Sequence, residues 1–395
     1  MDVFFWSEII LLTYFAYVAT YSAVFSLAGR MYVVKTGNLS SAKNYKFAVF
    51  IPAYKEDGVI IDVAKQSLNQ NYTNYEVIVI ADSLQKRTLD RLRELPIKII
   101  EVSFEKSTKV KALNAALAQY DNQYDYAVIL DADNIMEPNF ISTLNKIHQL
   151  GYQSIQGRRA AKNIDTTMAF LDGLSEEINN HIMCKGSTAL GLSSSLKGSG
   201  MSFNYKLLKQ NLGEMDSIGG FDRELELRLA NKGYKSIYVD NAIIYDEKVS
   251  NTKVFENQRK RWISSQFYYL SEYFQVGMFA FFKGQLALFN STILRNIQLP
   301  RLLNLGLLVI FTLCSGLFSF WHSTLYIYWL AIAIITFGAT LLAIPNEYYG
   351  KQLLQAIISL PKVFLKMFFL LFKLKGANKK FIHTPHTSNS TSKDS

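Results

Sequence analysis

Short β-rich runs alternate with helix-like stretches between residues 47 and 130, and that alternation restricts the fold more than any other feature of the chain. Residues 47–51, 76–81, 97–102 and 126–130 are apolar and rich in β-branched or aromatic side chains. Residues 59–69, 88–95 and 110–119 between them carry helical spacing. The order βαβαβαβ predicts an α/β domain built on a mostly parallel sheet with helices on both faces, because parallel neighbours need long crossovers and the crossovers cover the faces. In open sheets of this kind ligands bind beyond the carboxyl ends of the strands, near a switch point. Pro52-Ala53-Tyr54, Asp82 and Asp131 to Asp133 all fall at such ends. No Gly-x-Gly-x-x-Gly and no Walker lysine loop follows the first strand, so dinucleotide and P-loop binding are unsupported.

The fourth run stops at Asp131-Ala132-Asp133-Asn134. Two carboxylates one residue apart at a strand end can share one Mg²⁺ or Mn²⁺ that carries substrate phosphates. Ordinary turn chemistry also favours aspartate there, and the pattern alone does not separate the two readings. Further on, the spacing predicts a helix over 138–150, a strand over 152–156 and a long polar helix over 165–185. Lys197-Gly198-Ser199-Gly200 reads as a glycine turn or as a loop whose backbone approaches a ligand closely. Gly219-Gly220-Phe221-Asp222 opens a charged amphipathic helix, where an acid at the first turn is also explained by the helix dipole alone. A strand over 235–245 follows, then the basic segment Gln258-Arg259-Lys260-Arg261-Trp262, which by itself reads equally well as a solvated positive face.

The flanks are membrane-like. Residues 3–28 are almost uninterrupted apolar and aromatic, long enough to span a hydrocarbon core of roughly 30 Å. Asp2 and Glu8 stand where a cleaved signal would carry positive charge, so residues 1–30 read as an anchor that is kept. Arg30, Lys35, Lys43 and Lys46 come next, and the positive-inside rule then places the following domain in the cytoplasm. Residues 266–301 mix aromatics with isolated charges and suit interfacial helices. Residues 302–345 hold two spans joined by an uncharged loop around His322. Residues 350–375, interrupted by Pro361, Lys362 and Lys366, suit a further interfacial helix, and 376–395 a disordered basic tail. The net charge is +10, and eight lysines against one acid lie from Lys351 onward, a distribution that points to anionic lipid and not to nucleic acid. Two cysteines, Cys184 and Cys314, support neither a disulfide framework nor a zinc site.

Five elements taken in order carry a resemblance: Pro52-Ala53-Tyr54-Lys55-Glu56; Asp82; Lys109 with Ala112-Leu113-Asn114; Asp131-Ala132-Asp133; and Gln258-x-x-Arg261-Trp262. With them, residues 45–265 resemble the membrane-bound family 2 glycosyltransferases, the group of cellulose, chitin and hyaluronan synthases and ceramide glucosyltransferases. The resemblance implies a GT-A fold, Rossmann-like, with a nucleotide-sugar donor, UDP-linked, and Mg²⁺ or Mn²⁺ as cofactor. It implies Asp131 and Asp133 as metal ligands. Pro52, Ala53, Tyr54, Glu56, Asp82, Lys109, Asp131, Gln258, Arg261 and Trp262 would serve the donor. Asp222 would be the catalytic base of an inverting transfer, with Glu224 the other candidate, because Phe221 stands where the family usually carries glutamate. The implied acceptor is a glycan or a lipid-linked glycan in polysaccharide or glycolipid synthesis. The implied setting is a bacterial inner membrane, with an oligomer or export partner completing translocation. A membrane scaffold or regulatory subunit that kept the fold is the alternative.

Overall fold

The computed structural model describes residues 2–34, 43–215, 219–249, 252–317 and 323–373. They fall into two compact units, one containing Met1–Val33, Ile164–Ser193 and Val249–Ala377, the other Val34–Asn163 and Ser194–Lys248.

The second unit is built on an eight-stranded sheet: β1 Phe47–Tyr54, β2 Tyr75–Asp82, β3 Lys98–Val102, β4 Tyr126–Ile129, β5 Ile135–Met136, β6 Ser154–Ala161, β7 Met201–Asn204 and β8 Ile237–Asp246. The order is β3-β2-β1-β4-β7-β6-β8-β5. β3, β2, β1 and β4 run parallel, as do β6 and β8, while β4 with β7, β7 with β6 and β8 with β5 are antiparallel. The predicted α/β class with a largely parallel sheet is therefore what the chain forms. Alternate residues of each strand point to opposite faces, so a strand covered on both sides must be apolar throughout. On one face Phe47, Val49, Ile51, Val77, Val79 and Val128 pack against helix Ile60–Ser67 and helix Phe140–His148. On the other, Ala48, Phe50, Ile78, Ile80, Ala127 and Ile129 pack against helix Lys109–Gln119 and helix Tyr205–Gly213.

Several boundaries differ from expectation, each for a physical reason. The strand expected over 152–156 continues to Ala161, because a register shift between Gly157 and Arg158 lets the charged residues Arg158 and Arg159 still pair with β8. β7 begins straight after the glycine turn, too short and too near it to show periodicity. The helix Tyr205–Gly213 escaped the sequence reading. It is capped by the Asn204 side chain, which accepts from the Leu207 amide at 3.1 Å. The polar helix expected over 165–185 is Thr167–Asn179 followed by a π-helical turn, Asn180–Gly186.

His148 shows how firmly this unit is packed. The ring is buried and stacks on Tyr126, with 3.7 Å between centroids. Nδ1 donates to the Tyr152 carbonyl at 2.7 Å, which leaves Nε2 to accept from the Ser202 hydroxyl at 2.8 Å. Burial disfavours the imidazolium and pulls the pKa down to about 3. The unfolded chain takes up this proton near the ordinary value of about 6.5, so the contribution to stability is complete above that pH and is lost as pH falls toward 3. Denaturant unfolding should therefore show stability falling by about 1.4 kcal/mol per pH unit below pH 6.5, and His148→Gln should flatten that slope.

The first unit is helical. Among the described residues, three of its helices are long and apolar enough to cross a membrane: Phe5–Met31 (27 residues), Leu325–Leu342 (18 residues) and Lys351–Leu371 (21 residues). The described part of the apolar helix Arg301–Leu317 has 17 residues. Pro361 lies inside Lys351–Leu371 without ending it, so the interruption expected there does not shorten that helix. Gly186 shows why the N-terminal helix packs where it does: a Cβ at that position would stand 2.2 Å from the Phe25 carbonyl oxygen, closer than any side chain tolerates. The segments expected over 266–301 form helix Phe274–Phe282, helix Leu286–Phe289 and the π-turn Asn290–Leu294. Lys35, the loop around His322 and the tail 376–395 lie outside the described residues.

Candidate active site

The sheet topology brings the carboxyl ends of β1, β2 and β4 together. Tyr54 sits opposite Asp82 in register. Pro52 would be costly inside a strand paired on both sides. The partner β4 has already ended at Ile129, opposite Phe50, so no ladder bond is lost on that side. Both strands then leave the sheet through left-handed residues, Lys55 (φ 57°) and Ser83 (φ 60°). Such conformations in non-glycine residues cost about 1–3 kcal/mol and cluster at functional sites. They are held by the Lys55 amide on the Asp82 carbonyl at 3.1 Å and by the Ser83 hydroxyl on Asp82 Oδ1 at 3.0 Å. Asp82 and Ala53 are both buried, Ala53 in register with Ala81. The Lys55 ammonium lies 5.2 Å over the Tyr54 ring. Glu56 is partly buried, and its carbonyl accepts from the Val59 and Ile60 amides at the start of the following helix.

At the end of β4 the chain turns, with the Asn134 amide donating to the Asp131 carbonyl at 3.1 Å. Asp133 is buried, whereas the Asp131 side chain is about one-third exposed (36%) and forms an ion pair with Lys109 Nζ. Lys109 opens its helix behind the Thr108 cap. Its ammonium also donates to the Gly198 carbonyl at 2.7 Å and lies 5.0 Å from the centre of the Phe221 ring. Gly198 has φ 82°, and a Cβ built there would be 3.6 Å from Asp222 Oδ2. The glycine loop thus passes directly beneath the Asp222 carboxylate. Lys109, Asp131, Gly198, Phe221 and Asp222 form one cluster.

Asp222 lies in the first turn of helix Phe221–Asn231, which follows Gly220 at φ 69°. Desolvation raises its pKa above the ordinary carboxylate range. The Arg223 backbone hydrogen bond and the charges of Lys109, Arg223 and Arg159 pull the other way without cancelling it. The helix is anchored by Glu226, fully buried, whose Oε2 accepts from the Leu196 amide at 3.2 Å and from Arg223 at 3.3 Å. Glu224 is differently placed: it is engaged by Arg228 at 2.8 Å along the same helix.

Gln258, Arg261 and Trp262 lie on helix Thr252–Glu272 of the helical unit. Trp262 is exposed, and its ring is 4.5 Å from the Arg259 guanidinium, which is itself paired with Asp172. Burial pulls the Arg261 pKa below its ordinary value. The side-chain oxygen of Gln258 meets no hydrogen-bond partner among the described residues.

Among the described residues no group of three or more His, Cys, Asp or Glu side chains could hold a metal ion. The residues present nevertheless fit Mg²⁺ or Mn²⁺ of one particular kind, since a cation that keeps its waters and takes phosphate oxygens needs only one or two carboxylates. Asp131, part-exposed and paired with the Lys109 ammonium, with buried Asp133 beside it, matches that donor set.

The strand ends of the sheet thus converge on two turn aspartates, a lysine and a carboxylate of raised pKa, groups of the kind that can engage a phosphate-bearing ligand and its metal. Residues 44–265 match the family described as glycosyltransferase like family 2, and the chain belongs to that family. The chain is 25% identical over 252 residues to "Probable glycosyltransferase YdaM" of Bacillus subtilis (strain 168), a match covering 58% of each protein. The mannosyltransferase PcManGT from Pyrobaculum calidifontis, solved in complex with GDP-Man and Mn²⁺, superposes over 94% of this chain and 96% of its own. Its TM-score is 0.55 at 16% identity, a likeness of fold. Glucosyl-3-phosphoglycerate synthase from Mycobacterium tuberculosis is more distant, with 18% identity over 58% of this chain and 80% of its own and a TM-score of 0.42.

Arg159, Glu226 and Asp246 also surround the site, although no motif marks them in the sequence. A charge inside a strand or on the buried side of a helix was the available signal, but only the folded chain shows which charges turn inward.

Proposed function

We propose that the protein is an inverting, metal-dependent glycosyltransferase that moves a sugar from a nucleotide sugar, UDP-linked, to a glycan or lipid-linked acceptor at a membrane. The observation that carries this reading is the cluster at the carboxyl ends of the sheet. Within it Lys109 bridges Asp131 and the Gly198 carbonyl, while the Asp222 carboxylate stands 3.6 Å from where a Cβ of the same glycine would lie. A carboxylate of raised pKa suits a general base, which works best when its affinity for protons approaches the operating pH. Asp222 accepts the acceptor hydroxyl's proton as that oxygen bonds to the anomeric carbon, and the bond from that carbon to the diphosphate breaks on the opposite face. Lys109 lies where it can turn from Asp131 toward the departing diphosphate and offset its charge. Mg²⁺ or Mn²⁺ held by Asp131 and Asp133 would supply Lewis-acid stabilisation of that leaving group. Asp82 with Tyr54 and Glu56 at the neighbouring strand ends would take the nucleoside. Arg261 and Trp262 would serve the diphosphate and the acceptor.

The three long apolar helices support a membrane setting. The positive residues after the first helix support a cytoplasmic site for the α/β unit. The decisive test is a nucleoside-diphosphate release screen over UDP- and GDP-sugars with Mg²⁺ or Mn²⁺, followed by mass analysis of the product. Release with neither nucleotide class from any acceptor-containing membrane would leave the scaffold reading standing.

A further inference from the structure

We propose that Asn134 is a positioning residue of the metal site, a single buried amide that holds both aspartates of the Asp131-Ala132-Asp133 turn in place. The inference rests on reading that turn as the metal site. Asn134 is fully buried, and each polar group of its side chain is engaged. Nδ2 donates to Asp133 Oδ1 at 3.2 Å and to Asp246 Oδ1 at 2.8 Å. Oδ1 accepts the Ser199 hydroxyl at 2.5 Å, and Ser199 Oγ in turn accepts the Asp131 amide at 2.9 Å. One amide therefore touches the Asp133 carboxylate directly and the Asp131 backbone through one hydroxyl.

The far end of this chain of bonds is rigid. Asp246 closes β8, in register with Ala161 of β6. Its other oxygen receives Arg159 at 2.6 Å and Lys248 at 2.7 Å, all three side chains being buried or nearly so. Arg159 also donates to the Lys197 carbonyl at 2.6 Å, beside the glycine loop under Asp222. The sheet thus fixes Asp246, Asp246 fixes the amide, and the amide fixes the Asp133 rotamer.

The residue type is specific to the task. Only an amide offers two N–H donors to two carboxylates and still accepts a hydroxyl. A carboxylate at position 134 would repel Asp133 and Asp246, and an aliphatic side chain would leave both without their shared donor. The amide is also neutral, so it orients the aspartates without competing for them as a cation would.

Outer partners that orient metal ligands typically matter by 10–100-fold in affinity. The test titrates the full-length chain in detergent micelles with Mn²⁺, with UDP present in one arm and GDP in the other, and reads free Mn²⁺ by electron paramagnetic resonance. Asn134→Ala should weaken Mn²⁺ binding by about 10–100-fold, and Ser199→Ala by about tenfold. Thermal midpoints are recorded alongside, because a merely structural role would lower the midpoint and leave Mn²⁺ affinity unchanged. Should Asn134→Ala fail to fold, Ser199→Ala decides the matter. Wild-type affinity in the folded variants overturns the role of Asn134 alone. Absence of saturable Mn²⁺ binding by the wild type with either nucleotide overturns the metal site itself, and with it this inference.

Discussion

Asp222→Asn should lower sugar transfer by about 10²–10⁴-fold, the usual worth of a positioned general base, while leaving donor binding within a factor of a few. The substitution keeps the shape of the side chain above Gly198 and its place in the first helical turn, so the helix anchored through Glu226 should remain intact. The pH dependence sharpens the test. Because desolvation raises the Asp222 pKa in the folded enzyme, the base is progressively protonated as pH falls through that raised value. kcat/KM should then fall about tenfold per pH unit on the acid side, starting above the ordinary carboxylate range of about 4. Asp222→Asn should abolish this acid limb along with the rate. Isotope-labelled donor with equilibrium binding separates the two quantities. A variant that binds donor poorly but transfers normally once saturated would move the base elsewhere, and Glu224→Gln would be examined next, although its pairing with Arg228 makes it the less available carboxylate.

Asp133→Asn should be nearly as damaging by a different route. A bound divalent cation contributes several kcal/mol of charge stabilisation at the leaving diphosphate. At about 1.4 kcal/mol per decade, losing one of its two carboxylates should lower kcat/KM by about 10³-fold. The replacement is isosteric, so the buried turn should keep its shape and circular dichroism should be unchanged. Chelation of Mg²⁺ and Mn²⁺ should inactivate the wild type to a similar degree and have little further effect on the variant. Full turnover by folded Asp133→Asn with UDP- or GDP-sugars would remove the metal assignment and leave Lys109 as the cation at the phosphates.

Lys109 also shows what a pattern of motifs leaves open. Its place in the linear order was readable beside Ala112-Leu113-Asn114, but its partners were not. Only the fold sets its ammonium against Asp131, the Gly198 carbonyl and the Phe221 ring at once. Phe221 looked like a loss in sequence, a missing glutamate before the base. In the structure it is a buried aromatic surface beneath that ammonium.

What the sequence determined by itself follows from short-range periodicity. Strands covered on both faces must be apolar throughout and crossovers must be amphipathic, so residues 47–130 announced a parallel sheet and the strand ends at which a ligand would lie. The apolar helices Phe5–Met31 and Leu325–Leu342 were readable from their unbroken apolar length, whereas Lys351–Leu371, with its proline and lysines, read as interfacial although it too is long enough to span. What only the tertiary structure decided depends on residues far apart in the chain. The antiparallel insertion of β7, the continuation of β6 through two arginines, and the buried chain from Asp246 through Asn134 to Asp133 are of this kind. Asn134 and Asp246 are separated by 112 positions. No local pattern can register such a pairing, because a buried polar residue looks like a solvated one until the fold shows what satisfies it.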